Sequence, residues 1–418
     1  MWKSVRSSFC LSSLCIDDVY GQVCGLTFSR GNRLMRYDVI VAGLGPGGAI
    51  AAQELSKAGF NVLAIDKKSF PRYKPCGGGL SARIHKLLSP DFQSIVERTI
   101  KGIRFLYPGR GDFTLYTQEP IAYMVTRERF DHFLVQKAKS MGVESRENET
   151  ILNIEEGPEN VKVTTDAGQY QAKVMIGADG AHSLAARILN PKFSRRKILA
   201  LEEEILQGNG QSNSISDEVI IDLGSAPGGY AWSFPKSSRL SIGIAGFTGQ
   251  KKSLLHQFST FKARQSIGSS FSGKTLMGHP LPLFEPRKFR LASSRILLVG
   301  DAANLVDPLL GEGIYYAIRS SQIAADTVVK VFKQGPINCT LYQACIQQEI
   351  YPEFRAAQKL ARLTYAFPQL WYEAMRKYPE VTRWFYEILQ GLESYPGFLS
   401  KLKSEVGKLL KNIFFRGL

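Results

Sequence analysis

Residues 37–66, YDVIVAGLGPGGAIAAQELSKAGFNVLAID, restrict the fold more than any other part of the chain. Val39 to Val41 read as a short buried strand. Gly43, Gly45 and Gly48 follow at the spacing G-x-G-x-x-G, and a helix carrying Ile50, Ala51 and Leu55 runs on to Gly59. A second apolar strand from Asn61 to Ile65 ends at Asp66, 18 residues beyond Gly48. Each position has a physical reason. Gly43 permits a tight turn, Gly45 lets a pyrophosphate approach the backbone, Gly48 lets helix and strand pack closely, and the helix N-terminus attracts phosphate. Asp66 can accept hydrogen bonds from ribose hydroxyls. Strand, glycine turn, helix, strand and acid in this order predict a dinucleotide site, for FAD and NAD alike.

Two later stretches separate those ligands. VMIGADGAHSLAARIL, residues 174–189, ends a strand at Gly177 and continues through Asp179-Gly180 into a short helix. RILLVGDAANLVDPLLGEGIYYAIRSS, residues 295–321, runs a buried strand into Gly300-Asp301, then a glycine-containing loop and a long helix from about Glu312. An aspartate at the end of a buried strand beside a helix start suits polyol hydroxyls, and FAD has such a polyol in its ribityl chain. A plain N-cap role for Asp301 is the alternative; three dinucleotide-type stretches in one chain favour FAD.

The stretch APGGYAWSFPKSSRLSIGIAG, residues 226–246, sets Tyr230, Trp232 and Phe234 on alternate residues. Alternation puts them on one face of a strand, with Ala231 and Ser233 on the other. Pro227 and Pro235 sit where no ladder donor is needed. Such a face either fills a core or lines a cavity, and the local pattern does not choose.

Taken together, the glycine fingerprint, GADGAHS and VGDAA resemble the flavoprotein hydroxylase superfamily over most of residues 35–335. Within it, PGGYAWSFP matches the P-x-x-Y-x-W-x-F-P signature of geranylgeranyl reductases, and YKPCGGGL resembles their cysteine-containing loop near the flavin. The resemblance implies an α/β fold: a Rossmann-type FAD-binding domain with an inserted antiparallel β-sheet substrate domain and a helical C-terminal region. It implies FAD contacts at Gly47, Asp66, Cys76, Gly77, Gly79, Arg127, Asp301, Gly313 and Ile314. Gly311 and Gly313 would leave backbone amides facing the isoalloxazine, where they help to stabilise the reduced ring. Asp179 would orient its loop near the pyrophosphate. Arg127 opens an amphipathic helix, where it either pairs with phosphate or flavin or is a solvated first-turn arginine. Cys76 is the candidate catalytic proton donor, with a small, inert residue as the alternative. Tyr230, Trp232 and Phe234 would line the substrate cavity of a polyprenyl chain.

The FAD-binding domain is expected at 35–75, 120–185 and 285–335, the substrate domain at 76–119 and 190–284, and helices at 340–418. Residues 1–34 read as an extension outside the domain, with Met35 as the expected natural start and a targeting peptide as the alternative. The six cysteines show neither disulfide nor metal spacing, so no metal is expected and a reducing cytoplasm fits. No run of about 18 apolar residues predicts a spanning helix. The net charge of +16 calls for an anionic partner, phospholipid or diphosphate rather than nucleic acid, because no short dense basic motif is present. In GFLSKLKSEVGKLLKNIFFRGL, Phe398, Leu402, Val406, Leu409 and Ile413 form a helical stripe, with Lys401, Lys403, Lys408, Lys411 and Arg416 mostly off it. That stripe docks either on the protein's own core or on a membrane surface.

The resulting expectation is an FAD-dependent reductase saturating isolated double bonds of a geranylgeranyl or polyprenyl chain, with NAD(P)H or a ferredoxin-type protein as electron donor. The alternatives are an aromatic hydroxylase of the same superfamily and a membrane-docking redox carrier.

Overall fold

The computed structural model describes residues 35–415 except 195, 207–216, 247–250, 266–275 and 286–288, with the side chains of 251, 252 and 406–415 also left undescribed. The expected extension 1–34 and Arg416 lie outside the described residues, as do the side chains of Val406, Leu409 and Ile413 in the outer part of the C-terminal stripe.

The fingerprint folds as a βαβ unit. Strand Met35–Ala42 pairs in parallel with Val62–Asp66 on one side and with Gln169–Gly177 on the other. Helix Pro46–Lys57 connects the first two strands. Glu144–Glu147 and Ile296–Leu298 extend the parallel part, and Ile151–Glu156 and Val161–Thr165 add an antiparallel edge. Val39, Ile40 and Val41 are fully buried, as in a sheet covered on both faces. The loops Gly43–Gly45, Ala178–Asp179 and Gly300–Asp301 all leave the C-terminal ends of parallel strands, where open α/β sheets bind ligands. The long helix after the third loop begins at Ile314, with Gly313 at its N-cap.

A second sheet runs in the order Met277–Pro282, Lys197–Leu206, Arg239–Gly246, Tyr230–Pro235, Glu218–Asp222, Gly102–Leu106 and Phe113–Tyr116. It is antiparallel apart from the pairing of Glu218–Asp222 with Gly102–Leu106. One face, with Leu201, Ile205, Ala231, Ile242 and Ile244, packs under Leu254, Phe258 and Phe261 of helix Lys251–Arg264. The other face carries Tyr230, Trp232 and Phe234. A small sheet joins Gly79–Ser81, Ala122–Met124 and Arg98–Ile100.

The C-terminal region is helical: Leu341–Ala366, Pro368–Lys377, Pro379–Gln390 and Tyr395–Phe415. Pro368 and Pro379 open their helices, where the missing N–H costs no hydrogen bond. Leu360, Tyr372, Met375, Ile388 and Phe398 pack against Ile103, Phe105 and Val219 of the second sheet. Phe398 is buried, and Leu399 and Leu402 pack beside it, so the described start of the C-terminal stripe docks on the protein itself.

Candidate functional site

The glycine turn has the geometry its spacing predicts. Gly43 has φ +94°, and a Cβ there would lie 2.5 Å from the Ala178 carbonyl oxygen. A Cβ at Gly48 would meet the Gly43 carbonyl oxygen at 1.8 Å. Asp66 accepts from Leu44 N–H at 2.8 Å and from Lys68 N–H at 2.9 Å, which ties the second strand to the turn. A carboxylate has room for further donors. Arg72, which the sequence reading did not single out, reaches the same turn and pairs with buried Asp131 at 3.2 Å. Arg127 is buried rather than solvated, bidentate to Asp131 at 2.8 Å through both contacts. Burial opposes its charge, but Asp131 and the neighbouring Cys76 side chain outweigh it and raise its pKa.

Asp301 stands at the end of the third parallel strand. His279 Nε2 lies 3.9 Å from its Oδ2 and 3.0 Å from Lys74 Nζ. Burial, reinforced by Arg127, draws the Lys74 ammonium below its ordinary range. Burial likewise lowers His279, against the hydrogen bond it donates to Asp301. Burial pushes Asp301 up, but His279, Lys74 and Arg127 together hold it below the usual carboxylate value. Lys74 and His279 lie 205 residues apart, so only the fold brings them together.

The Cys76–Gly79 loop presses against the aromatic strand. The Cys76 thiol accepts from Gly78 N–H at 3.4 Å, and Val125 N–H donates to the Gly78 carbonyl at 2.9 Å. A Cβ on Gly77 would lie 2.8 Å from the Phe234 ring and 3.0 Å from Trp232 Nε1. Tyr230, Trp232 and Phe234 share a face, with ring centroids 5.9 and 6.2 Å apart along the strand. The Tyr230 hydroxyl donates to the Leu310 carbonyl of the loop that carries Gly311 and Gly313.

Strand Lys197–Leu206 holds a feature the sequence reading missed. Glu203 points outward to Lys262, whereas Glu202 and Glu204 point inward. Glu204 pairs with Lys236, whose side chain is fully buried, and with Arg239, each at 2.8 Å. Glu202 lies across Gly243 from Trp232, accepts from Ser241 at 2.9 Å and is buried. Burial raises its pKa, against the pull of Lys236, so it holds its proton more tightly than an ordinary glutamate. Arg83 was likewise missed. It pairs with Glu312 at 2.7 Å, lies 3.9 Å from Asp307 and stacks over Tyr315. Asp307 accepts from Leu309 and Leu310 N–H and from the Tyr395 hydroxyl, the last at 2.8 Å. This network shapes the loop from Asp307 to Gly313.

One continuous cavity of about 860 Å³ joins these parts. Its wall includes Gly43, Gly45, Gly47, Asp66, Cys76, Gly77, Gly79, Arg127, Asp179, Tyr230, Trp232, Phe234, Asp301, Gly311, Gly313 and Ile314. Gly48 stands behind the turn and serves packing. Past the aromatic strand the cavity continues between Leu360, Trp371, Met375 and Phe385. Three atoms on the same wall, Asp179 Oδ1, Glu202 Oε2 and Trp232 Nε1, are buried without a hydrogen-bond partner. Buried polar groups are ordinarily satisfied, so such a set calls for a polar ligand. A glycine cradle, two arginines and a strand-end aspartate fit a flavin dinucleotide. No group of side chains that could hold a metal occurs among the described residues.

Comparison with known proteins agrees. The family description "FAD binding domain" matches residues 36–336. Over 330 residues the chain is 30% identical to the geranylgeranyl diphosphate reductase of Rhodobacter capsulatus, covering 75% of this chain and 81% of that protein. It is 31% identical over 323 residues to digeranylgeranylglycerophospholipid reductase 3 of Methanosphaera stadtmanae, covering 71% and 78% respectively. The crystal structure of a geranylgeranyl bacteriochlorophyll reductase-like protein from Thermoplasma acidophilum shares the fold, with TM-score 0.72 over 89% of this chain and 99% of that chain at 21% identity. With the fingerprint, the aromatic strand and the cysteine loop on one cavity, the chain belongs to the FAD-dependent geranylgeranyl reductase family.

Proposed function

We propose that this protein saturates isolated C=C bonds of a geranylgeranyl or longer polyprenyl chain carried on a diphosphate, a glycerophospholipid, or a pigment or quinone. The observation that carries the reading is that Tyr230, Trp232 and Phe234 line the same cavity as the dinucleotide turn. The turn at Gly43–Gly47, with Arg72 and Arg127, would hold the pyrophosphate of FAD; Asp66 would hold the ribose and Asp301 the ribityl chain. Asp179 would steady the turn, and backbone amides at Gly311, Gly313 and Ile314 would face the flavin ring. Bound there and reduced, FAD supplies the hydride for one alkene carbon. NAD(P)H or a ferredoxin-type protein is the proposed source of electrons.

The chain's own residues do the rest. The aromatic face holds an extended apolar chain and excludes water, which protects a reactive reduced centre. An isolated alkene is a poor hydride acceptor, so the second carbon needs a proton delivered in step. The Cys76 thiol is the proposed donor, and the Glu202 carboxyl lies on the same wall. We further propose that 35–75, 120–185 and 285–335 act as the cofactor domain and 76–119 and 190–284 as the substrate domain. Because a prenyl chain partitions into lipid, we propose a cytoplasmic, membrane-peripheral location.

The test is anaerobic incubation of the chemically reduced holoenzyme with geranylgeranyl diphosphate or a geranylgeranylated lipid. The expected product gains one H₂ per reduced bond by mass spectrometry, and Trp232→Ala slows the reaction with FAD still bound. A reduced enzyme that leaves every prenyl substrate untouched but inserts oxygen into a phenol in air would establish a hydroxylase instead.

A further inference from the structure

We propose that the corner between helices Leu341–Ala366 and Pro368–Lys377 is the surface by which this protein docks on an anionic lipid bilayer. Within eight residues the corner exposes Leu363 at 49%, Phe367 at 61% and Leu370 at 69%. Leu363 and Phe367 are one helical turn apart, and Phe367 is both the last residue before the bend and the N-cap of the next helix. Single exposed apolar side chains are ordinary, whereas three forming one tip mark an interaction surface.

The charges around the tip select the partner. Lys359, Arg362, Arg376 and Lys377 are exposed on the same two helices, and none forms an ion pair among the described residues. Glu373 is taken by Arg110, leaving Glu380 as the exposed acid between 359 and 383. An apolar tip ringed by bases fits acyl chains below anionic head groups. It does not fit a second copy of itself, because a two-fold contact would set these bases against one another. The described start of the C-terminal stripe is no rival, since Phe398, Leu399 and Leu402 pack inward. No helix among the described residues is long and apolar enough to cross a membrane, so the contact is peripheral.

The corner also has an inner side. Thr364 and Tyr365 of one helix, and Trp371 and Met375 of the next, line the cavity. The apolar end of the cavity therefore lies one helix away from the exposed tip, where a membrane would present a prenyl chain. That last step rests on the prenyl-reductase reading; the docking surface itself does not.

The test uses FAD-loaded full-length protein in flotation with phosphatidylcholine vesicles, with and without phosphatidylglycerol, at low and high salt. Wild type is expected to float with the anionic vesicles and to be released by salt. Phe367→Ser/Leu370→Ser should weaken binding by at least about tenfold, and Arg362→Ala/Lys377→Ala should weaken it and flatten its salt dependence. Both variants change exposed residues outside the cavity and should keep their FAD, their melting temperature and their turnover of detergent-dispersed substrate. Wild type that ignores vesicles, or an apolar variant that floats as wild type does, overturns the proposal. So does a wild-type dimer in light scattering that the apolar variant abolishes while vesicle binding is unchanged. If flotation behaves as expected but no prenyl chain is reduced, the catalytic reading fails and the docking surface stands.

Discussion

Gly243 is the seat of Trp232, and filling that seat is a direct test of how the aromatic wall is built. The two residues are register partners on adjacent strands. A Cβ on Gly243 would lie 2.0 Å from Trp232 Cζ2 and 2.4 Å from Cε2. Ordinary carbon contacts begin near 3.5 Å, so in Gly243→Ala the indole must move by roughly 1.5 Å. It has little space for this. Tyr230 and Phe234 flank it, and the Gly77 backbone faces Nε1. Overpacking of this kind costs about 1–3 kcal/mol. Replacing a strand glycine returns about 0.5–1 kcal/mol. The net expectation is a loss of up to about 2.5 kcal/mol, about 1 kcal/mol at the middle of the ranges, and a fall in melting temperature of roughly 1–3 °C for a chain of this length. Gly278→Ala in the edge strand of the same sheet is the control. Its Cβ would meet nothing closer than Leu199 Cδ1 at 3.5 Å, so it should melt at or slightly above the wild-type temperature. Circular dichroism of the FAD-loaded proteins reads the difference, tryptophan fluorescence reads the displaced indole, and prenyl turnover should fall only in Gly243→Ala. Equal melting temperatures and equal turnover for the two variants would refute the packing argument.

Asp301→Ala should weaken FAD retention by about tenfold or more, since a hydrogen bond to a charged group contributes about 1.5–3 kcal/mol; flavin absorbance after gel filtration reads it, and undiminished retention would contradict the assignment. Glu202 has a raised pKa in the folded protein, so the fold binds its proton more tightly than the unfolded chain does, and stability falls as pH rises above the ordinary value of 4.5. Urea unfolding across that range should show a shallower decline for Glu202→Gln, and parallel curves for the two proteins would be the contrary result. Arg83→Ala leaves the carboxylates of Glu312 and Asp307 without their buried cation and should destabilise by about 3–5 kcal/mol. Adding Glu312→Gln should recover part of that loss; a double variant no more stable than Arg83→Ala would show that the ion pair is not what Arg83 supplies.

Local chemistry was readable from the residues; partnership across the chain was not. The turn at Gly43 and the strand ending at Asp66 follow from residues within one βαβ unit, where spacing alone carries the geometry. The shared face of Tyr230, Trp232 and Phe234 follows from period two. The carboxylates of Glu202 and Glu204 did not stand out, because LEEEI reads equally well as an outward polar face until Lys236 and Arg239 are known to lie opposite. Gly243 looked like any strand glycine, since its need for a missing side chain arises on the neighbouring strand. Lys74 with His279, and Arg83 with Glu312, are pairs more than 200 residues apart, and no periodicity reports them. Arg127 could be placed at a helix start, but its burial against Asp131 and Cys76 depends on packing from other elements.

The hydrogen bond from Tyr395 to Asp307 spans 88 residues and joins the last described helix to the loop that carries Gly311 and Gly313. Synthesis runs from the N-terminus, and chains begin to fold as they emerge. The glycine turn and its βαβ unit are therefore available early, while Asp307, already bonded to Leu309 and Leu310 N–H, meets its Tyr395 partner only 88 residues later. A nascent chain can form the phosphate-binding half of the cavity long before the other half has its final shape. Loss of the C-terminal helix through a premature stop would thus damage the centre of the cavity rather than trim its outside, and the product would be a chain with an intact glycine turn around an unfinished site.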